Sequence, residues 1–489
     1  MTHPLDALII GTGFGGIGMA VYLQQAGIDN YLVLEKADDV GGVWRDNQYP
    51  GAACDVPSHL YSFSFAPNTQ WSRKFAMQDE IRGYIRRCTD QFGVTPRLRL
   101  GREVAEARFD EVAGTWTVTT TGGETYVTRA LITATGQLNR PAFPSVPGID
   151  SFQGEVFHSA RWRHDIDLRG KRVAVVGTGA SAIQFVPEIV PQVKSLVLFQ
   201  RSAPHVIPKP DRPYTTVEKL AFEKAPALMA GSRQWQYLSH EYRALAFTSY
   251  QQFMALPEWQ FKRHLASQVK DPVLRDKLTP KDPIGCKRIL LSNNYYSALA
   301  QPHVQVVNGA VQAVDAGGIT GADGVRHEVD VIIYGTGFKA TEFLAPMRVV
   351  NGQGTDLNTA WRDGAEAYLG ITVSGFPNLF MLYGPNTNLG HSSIIFMLES
   401  QMNYIRQCVG RLVDDRLRAL DVLPTAQSQF NTALQQRLSQ SVWSTGCDSW
   451  YVNDKGRNTA NWPGFTFEYR YRTRRPDWAD YRVVAGASA

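Results

Sequence analysis

The feature that most constrains this chain of 489 residues is a pattern that occurs twice. Ala7-Leu8-Ile9-Ile10 is a short apolar run, Gly11-Thr12-Gly13-Phe14-Gly15-Gly16 follows it, and Ile17 to Ala26 carries apolar residues at helical spacing up to Gly27. Strand, glycine-rich turn and helix in that order predict a dinucleotide fold. Gly11 permits the tight turn, Gly13 lets backbone approach a pyrophosphate at the helix N-terminus, and Gly16 lets helix and strand pack closely. The order returns as a strand Arg172 to Val176, the turn Gly177-Thr178-Gly179-Ala180-Ser181-Ala182, a helix expected from Ile183 to Val190 and broken at Pro187, and a strand Ser195 to Phe199. The fold class this predicts is α/β, with two Rossmann-like dinucleotide-binding domains.

The two units differ after their second strands. Glu35 lies 35 − 11 = 24 residues beyond its first glycine, and Arg201 lies 201 − 177 = 24 beyond its own. A carboxylate accepts from a ribose diol and repels a 2′-phosphate, whereas a guanidinium matches a phosphate in charge and fork geometry. The first site therefore suits NAD or FAD and the second NADPH. Two nicotinamide sites make no relay, while a flavin beside NADPH passes a hydride, so FAD plus NADPH is the economical reading. Ala130 to Gly136 and Asp330 to Gly337 are apolar strands ending in Thr-Gly, placed to return the chain to each sheet with a glycine near cofactor.

Composition excludes several other classes. The charge of 50 − 45 = +5 has no cluster behind it, since Arg470 to Arg475 is interleaved with Tyr471 and Thr473, so no nucleic-acid partner is expected. Cysteines 54, 88, 286, 408 and 447 lie at least 88 − 54 = 34 residues apart and are odd in number. Neither a disulfide framework nor a metal site is expected, and the chain is assigned to a reducing compartment, the cytoplasm. No apolar run reaches the roughly 18 residues of a membrane span, and no Lys or Arg precedes Leu8 as a signal peptide requires. Charged residues make up only 19%, while 11 Trp, 20 Tyr and 23 Phe favour burial of something planar. Disulfide reductases need a closely spaced cysteine pair, and the sequence has none.

Longer motifs carry a resemblance. Gly42-Val-Trp44 through Tyr49-Pro50-Gly51 to Asp55 is similar to the G-x-W-x4-(F/Y)-P-G-x3-D signature of type I Baeyer–Villiger monooxygenases, a class B flavoprotein monooxygenase family. Phe152, Gly154, His158 and Trp162 resemble that family's fingerprint, which this chain departs from with Arg163 where Pro or Asp follows the tryptophan. Gln137 in Ala134 to Leu138, Gly285-Cys286-Lys287-Arg288, Tyr383 to His391, Asp448-Ser449-Trp450-Tyr451 and Trp462-Pro463-Gly464 continue the match. The resemblance implies an FAD- and NADPH-dependent enzyme that converts ketones to esters or lactones with O2 through a C4a-peroxyflavin, with sulfide oxidation as a second outlet. Arg288 is expected as the catalytic cation that holds the peroxide deprotonated, positioned by Asp55. Lys287, Arg201 and Ser202 are expected at the 2′-phosphate, and Gly42, Trp44, Asp55 and Gln137 near the flavin. Gly177, Gly179 and Ser181 are assigned to the NADPH turn and Trp450 to the nicotinamide end or substrate. His158 is expected as a linker residue without proton transfer, and His391 as a weaker pocket candidate.

The expected organisation is an FAD unit at 1–140 and 345–489, an NADPH unit at 150–208 and 286–340, and a helical insertion at 209–285 that packs on the NADPH unit or caps the cavity. The nearest rival is an N- or S-oxygenating flavin monooxygenase. A bare NADPH oxidase and a nucleotide-sensing binding protein are more distant. The ketone itself and the oligomeric state are not legible.

Overall fold

A computed structural model describes residues 3–447, 449–453 and 455–486. Each glycine turn opens from its own sheet. The first sheet runs in the order Arg348–Val350, Val104–Asp110, Thr115–Thr120, Thr125–Thr133, Leu5–Ile10, Tyr31–Leu34, Leu98–Arg99, and Leu379–Met381 also pairs with Thr125–Thr133. Leu5–Ile10 lies parallel to both of its neighbours. Ala7 and Ile9 pack into one apolar cluster, Leu8 and Ile10 into another. Its stretch from Ala7 to Ile10 is covered on both faces and has no place for a polar side chain, which is why those four residues read as a continuous apolar run, while Asp6 stands at the less buried start of the strand.

The second sheet is all parallel, in the order Val304–Asn308, Ser195–Gln200, Arg172–Val176, Val331–Tyr334, Glu155–His158. The helix after its glycine turn spans Ala182–Ile189 and continues through Pro187, where the sequence predicts a break. Pro187 stands in the last turn, so the helix forfeits one hydrogen bond near its end while the residue stays buried.

Two crossings join the sheets, and they run side by side. Ala142 N donates to Gly337 O at 2.9 Å, Lys339 N to Arg140 O at 2.9 Å, and Thr336 Oγ1 to Ala142 O at 2.6 Å. The Thr-Gly ends of the strands Thr125–Thr133 and Val331–Tyr334 thus lead into one two-stranded neck beside the cavity.

Between Val206–Ile207 and Leu290–Leu291, which pair in parallel, the described residues form five α-helices: Thr216–Lys224, Pro226–Glu241, Ala244–Thr248, Ala255–Gln268 and Pro272–Lys277. Phe261, Leu265 and Leu278 enter the core of the second sheet. Phe247, Met254 and Ile284 instead join Trp443, Tyr451 and Trp462. Arg233 donates to the carbonyls of His59 at 2.7 Å and Ser62 at 2.9 Å, and Glu241 accepts from Thr466 Oγ1 at 2.8 Å. The helices are therefore clamped between the second sheet and the C-terminal region. Of residues 209–285 only Asp282 and Pro283 line the cavity, so this segment does not roof it.

The cysteines require a correction. Cys286 and Cys447, 161 residues apart, form a disulfide with a Cα–Cα distance of 6.3 Å, while Cys54, Cys88 and Cys408 are free and buried. Linear spacing is silent about a pair that tertiary folding brings together, so a sequence reading that finds no disulfide framework does not reach this single pair. No helix of the described residues is long and apolar enough to cross a membrane.

Candidate active site

A cavity of about 1090 Å³ lies between the two sheets, and both glycine turns form its walls, Gly11, Gly13 and Gly42 with Gly177, Gly179 and Ser181. The turns are built alike. Gly11 has φ +107°, and a Cβ there would stand 2.5 Å from Ala134 O; Gly177 has φ +105°, and its Cβ would stand 2.4 Å from Gly335 O. Each is glycine because the returning strand passes too close for a side chain. A Cβ on Gly16 would stand 1.8 Å from Gly11 O, so its bareness serves packing, and Gly16 does not line the cavity. Gly13 and Gly179 differ: a Cβ on either would meet nothing nearer than 3.7 Å. Protein packing does not require glycine at these two positions, whereas a ligand phosphate against the backbone does. They stand at the N-termini of Phe14–Gln25 and Ala182–Ile189, where unpaired N–H groups favour an anion.

Glu35 lines the cavity and is buried. Its carboxylate accepts from Thr12 N at 3.0 Å, Thr12 Oγ1 at 2.7 Å and Ala37 N at 3.0 Å, and it pairs with Arg45 at 3.1 Å. The burial of two charges is compensated by that pairing, and a ribose diol would share an oxygen with these donors. On the opposite side Arg201 is exposed along the wall with Ser202 next to it. Lys287 Nζ lies 3.1 Å from Ser202 Oγ and 2.6 Å from Asp282. One anion and one cationic group thus stand on the cavity wall, at the positions that the count of 24 residues picks out.

The segment from Gly42 to Asp55 joins the two halves. Trp44 Nε1 donates to Tyr61 Oη at 3.1 Å and the rings meet edge to face. Tyr49 Oη donates to Gln184 Oε1 at 3.1 Å, Gln184 Nε2 donates to Ala53 O at 3.0 Å, and a Cβ on Gly51 would stand 2.8 Å from Gln184 O. The Tyr-Pro-Gly turn is the docking surface for the helix Ala182–Ile189.

Asp55 and Arg288 both line the cavity, but no ion pair within 4 Å joins them. The nearest cation to Asp55 is Lys209, with Nζ 3.7 Å from Oδ1, and that buried oxygen has no hydrogen-bond donor. Sequence reasoning missed Lys209, which follows the strand Val206–Ile207 and matches no motif. Its backbone is fixed by Asn293, whose Oδ1 accepts from Lys209 N at 2.9 Å. Arg288 is open, but its open surface is cavity wall, so protein surrounds it. Burial pulls its pKa down; Asp55, with Tyr451 and Tyr383, more than offsets this and holds it above the usual arginine value. A permanent cation therefore faces the cavity. Cys54 also lines it, and burial pushes its thiol up to about 12, which leaves it protonated and inert.

Gln137 is buried on the wall, with Nε2 donating to Tyr383 O at 3.0 Å and Oε1 without a partner. Trp450 lines the cavity and is 44% exposed; Asp448 in the same motif lies outside the described residues. His158 ends the strand Glu155–His158, accepts from Ala160 N at 3.0 Å, and packs against Phe143 and Phe338 beside the neck. Burial lowers its pKa to about 4. His391 is buried without a hydrogen bond, 3.8 Å from Glu241, and is not among the residues lining the cavity. Arg163 pairs with Asp165 at 2.5 Å on the surface, away from the cavity.

A family profile described as pyridine nucleotide-disulphide oxidoreductase matches residues 8–218. The chain is 47% identical over 483 residues to a Baeyer–Villiger monooxygenase of Streptomyces coelicolor, covering 98% of this chain and 93% of that protein. It is 47% identical over 479 residues to a Baeyer–Villiger monooxygenase of Pseudomonas aeruginosa, covering 97% and 91%. Among solved structures it is similar to cyclohexanone monooxygenase from Rhodococcus sp. Phi1 bound to NADP+, with TM-score 0.89, 27% identity, and coverage of 99% and 100%. It is equally similar to OTEMO in complex with FAD and NADP, with TM-score 0.88, 28% identity, and coverage of 99% and 100%.

Proposed function

The chain belongs to the Baeyer–Villiger monooxygenases, and from that premise we propose how its own residues serve an NADPH- and O2-dependent conversion of ketones to esters or lactones. The observation that carries the reading is one cavity with both glycine turns, Glu35, Arg201 and the cation Arg288 on its wall. The residues fit the two cofactors. FAD would take the turn at Gly11, Gly13 and Gly42, its adenosine end at Glu35 and its ring end near Trp44 and Gln137, whose Oε1 has no protein partner. NADPH would take the turn at Gly177, Gly179 and Ser181, with Arg201, Ser202 and Lys287 at the 2′-phosphate. When bound, FAD accepts the hydride of NADPH and activates O2.

The protein's part is electrostatic and positional. Arg288 offers a fixed positive charge where negative charge develops on oxygen, and a donor aimed at that charge needs no reorganisation during reaction. Asp55 and Lys209 set the field around Arg288. Trp450 closes the nicotinamide side of the cavity. The remaining apolar wall, including Phe343, Leu344 and Leu389, receives the ketone and excludes water. The units we assign are 1–140 with 345–489 for FAD, 150–208 with 286–340 for NADPH, and 209–285 as a helical insertion. The cytoplasm, where NADPH is maintained, is the proposed location.

Arg288→Ala tests the central role. The variant should bind both cofactors and be reduced by NADPH, while ester formation from a ketone panel falls by at least about a hundredfold, as when a charge-stabilising donor is removed. Normal ester yield would remove Arg288 from the mechanism. Offering amines and sulfides beside ketones discriminates N- or S-oxygenation as the main activity.

A further inference from the structure

Cys286 and Cys447 have no part in the chemistry above, yet each lies within three residues of the cavity wall. Cys286 is fully buried and precedes Lys287 and Arg288; Cys447 lies three residues before Trp450. Neither cysteine lines the main cavity, so the pair is not placed to take electrons from a flavin there. Cys447 does line a second, smaller cavity of about 410 Å³, with Gly446, Trp443 and Val452, which gives a small thiol or peroxide a route to it.

The described residues that flank Trp450 have few ties to the rest of the chain. They form no helix or strand from Thr445 to Trp450, and Gly446 has φ +87° with nothing within 4 Å of its Cβ position. Among the described residues, Gly446 and Cys447 make no hydrogen bond, Ser449 bonds only to Tyr451 and Val452, and the ring of Trp450 meets Tyr451. The disulfide is the one covalent or polar tie that carries these described residues to a distant part of the chain. Its other end is firmly seated. Gly285 packs against Met254 and Val442, so that a Cβ there would stand 2.8 Å from Met254 Cε, and Cys286 N donates to Pro283 O at 3.4 Å.

We propose that Cys286 and Cys447 are a reversible redox latch. In the disulfide form the latch pins Cys447, and with it Trp450, against the Lys287–Arg288 turn and retains the nicotinamide nucleotide; in the dithiol form Trp450 is released and the nucleotide leaves more readily. The nucleotide half of this rests on the function proposed above. Closure consumes hydrogen peroxide: one thiol sulfur is oxidised to sulfenic acid with loss of water, the second thiol displaces the hydroxyl as a further water, and the S–S bond forms. Opening takes two electrons and two protons from a dithiol, whose own sulfurs become a disulfide. Because coupling between two sites is reciprocal, whatever factor the latch adds to nucleotide affinity, bound nucleotide adds to the latch's resistance to reduction.

The holoenzyme, purified without reductant, is digested under non-reducing conditions. The expected result is a Cys286–Cys447 linked peptide, with Cys54, Cys88 and Cys408 alkylated only after unfolding. Dithiothreitol titrations are then run with and without saturating NADP+, and NADP+ affinity is measured by calorimetry on oxidised and reduced enzyme. Reduction should weaken NADP+ binding on the order of fivefold or more, and NADP+ should protect the disulfide by the same factor. Cys447→Ser should bind NADP+ like the reduced enzyme whatever the reductant, whereas Cys88→Ser should respond like the parent. A linked peptide that is absent even after peroxide treatment overturns the latch and leaves the proposed function intact. Equal NADP+ affinity in the two redox forms overturns the coupling. Failure of either form to bind NADP+ overturns the nucleotide assignment, and the coupling with it.

Discussion

Asp55 has two cations near it, and the geometry ranks them. Lys209 is 3.7 Å from its Oδ1, whereas Arg288 acts on it only through space, with no pair inside 4 Å. Lys209 does not line the cavity, so any effect it has on chemistry passes through Asp55. An ion pair of this partly buried kind contributes about 1 kcal/mol, or roughly fivefold if it is lost from the oxygenation barrier. Lys209→Met should therefore slow ester formation about fivefold and leave NADPH-driven flavin reduction and the KM for NADPH unchanged, with Lys209→Arg restoring the rate. Stopped-flow reduction set beside product yield separates the two steps. A fall in both rates together would assign Lys209 to general stability. The sequence offers no hint of this residue: a lysine between prolines 208 and 210 is an ordinary surface feature until the fold brings it to a carboxylate more than 150 residues away. Glu35 and Arg201 were readable because each is fixed by a single strand–turn–helix unit whose geometry keeps the count of 24 residues.

At the scale of the element, the glycine turns separate packing from ligand contact. Gly16 and Gly13 occur in one motif, yet an added Cβ would stand 1.8 Å from backbone at the first and no nearer than 3.7 Å from anything at the second. Gly16→Ala should disrupt the strand–helix contact by more than about 3 kcal/mol and yield little folded protein. Gly13→Ala should unfold at nearly the parental urea midpoint but hold FAD about ten- to a hundredfold more weakly, because the methyl overlaps the phosphate by a clash of about 1–3 kcal/mol. Gly179→Ala should do the same to NADP+ and leave FAD content alone. Urea titration of apoprotein with flavin absorbance after gel filtration reads all three. A Gly13→Ala protein that retains full flavin would show that no phosphate approaches that backbone. Elements held by local rules were legible from the sequence, as the strands around Leu8 and Val173 show. Pro187 misled because a proline rule for helix interiors was applied to a last turn. The docking of Gln184 on Ala53 and the pairing of Cys286 with Cys447 were illegible because neither periodicity nor spacing encodes contacts 131 and 161 residues apart.

Across the whole molecule, histidines sit at the joins between its parts, and burial keeps them neutral. His59 bonds Ser232 at 2.8 Å and stacks on Tyr214, both in the helical segment; His240 of that segment lies near His391, in the loop after Leu379–Met381; His158 flanks the neck, and His205 meets Phe261. Burial is the largest cause in every case, lowering His59, His158, His205 and His240 to about 4 and His391 to about 3. The unfolded chain protonates its histidines below about 6.5, while the folded protein does so only near these lower values. Between them the unfolded state binds more protons, so stability falls as pH falls, by up to about 1.4 kcal/mol per pH unit for each imidazole. Asp6, Glu241 and Asp421, raised mainly by burial, act in the opposite direction and partly offset the loss. Surface carboxylates such as Glu218 and Asp315, lowered to about 2 by arginine partners, respond only at lower pH. The urea midpoint should thus drop steadily from pH 7 to pH 5, and His158→Gln should flatten that slope by about one proton. Amide exchange at pH 5 should quicken first where the helices of 216–241 meet His59 and His391, before the sheets are affected. A midpoint that stays constant or rises on acidification would mean that these imidazoles are already charged in the folded protein, and the joins would then be held by ion pairs.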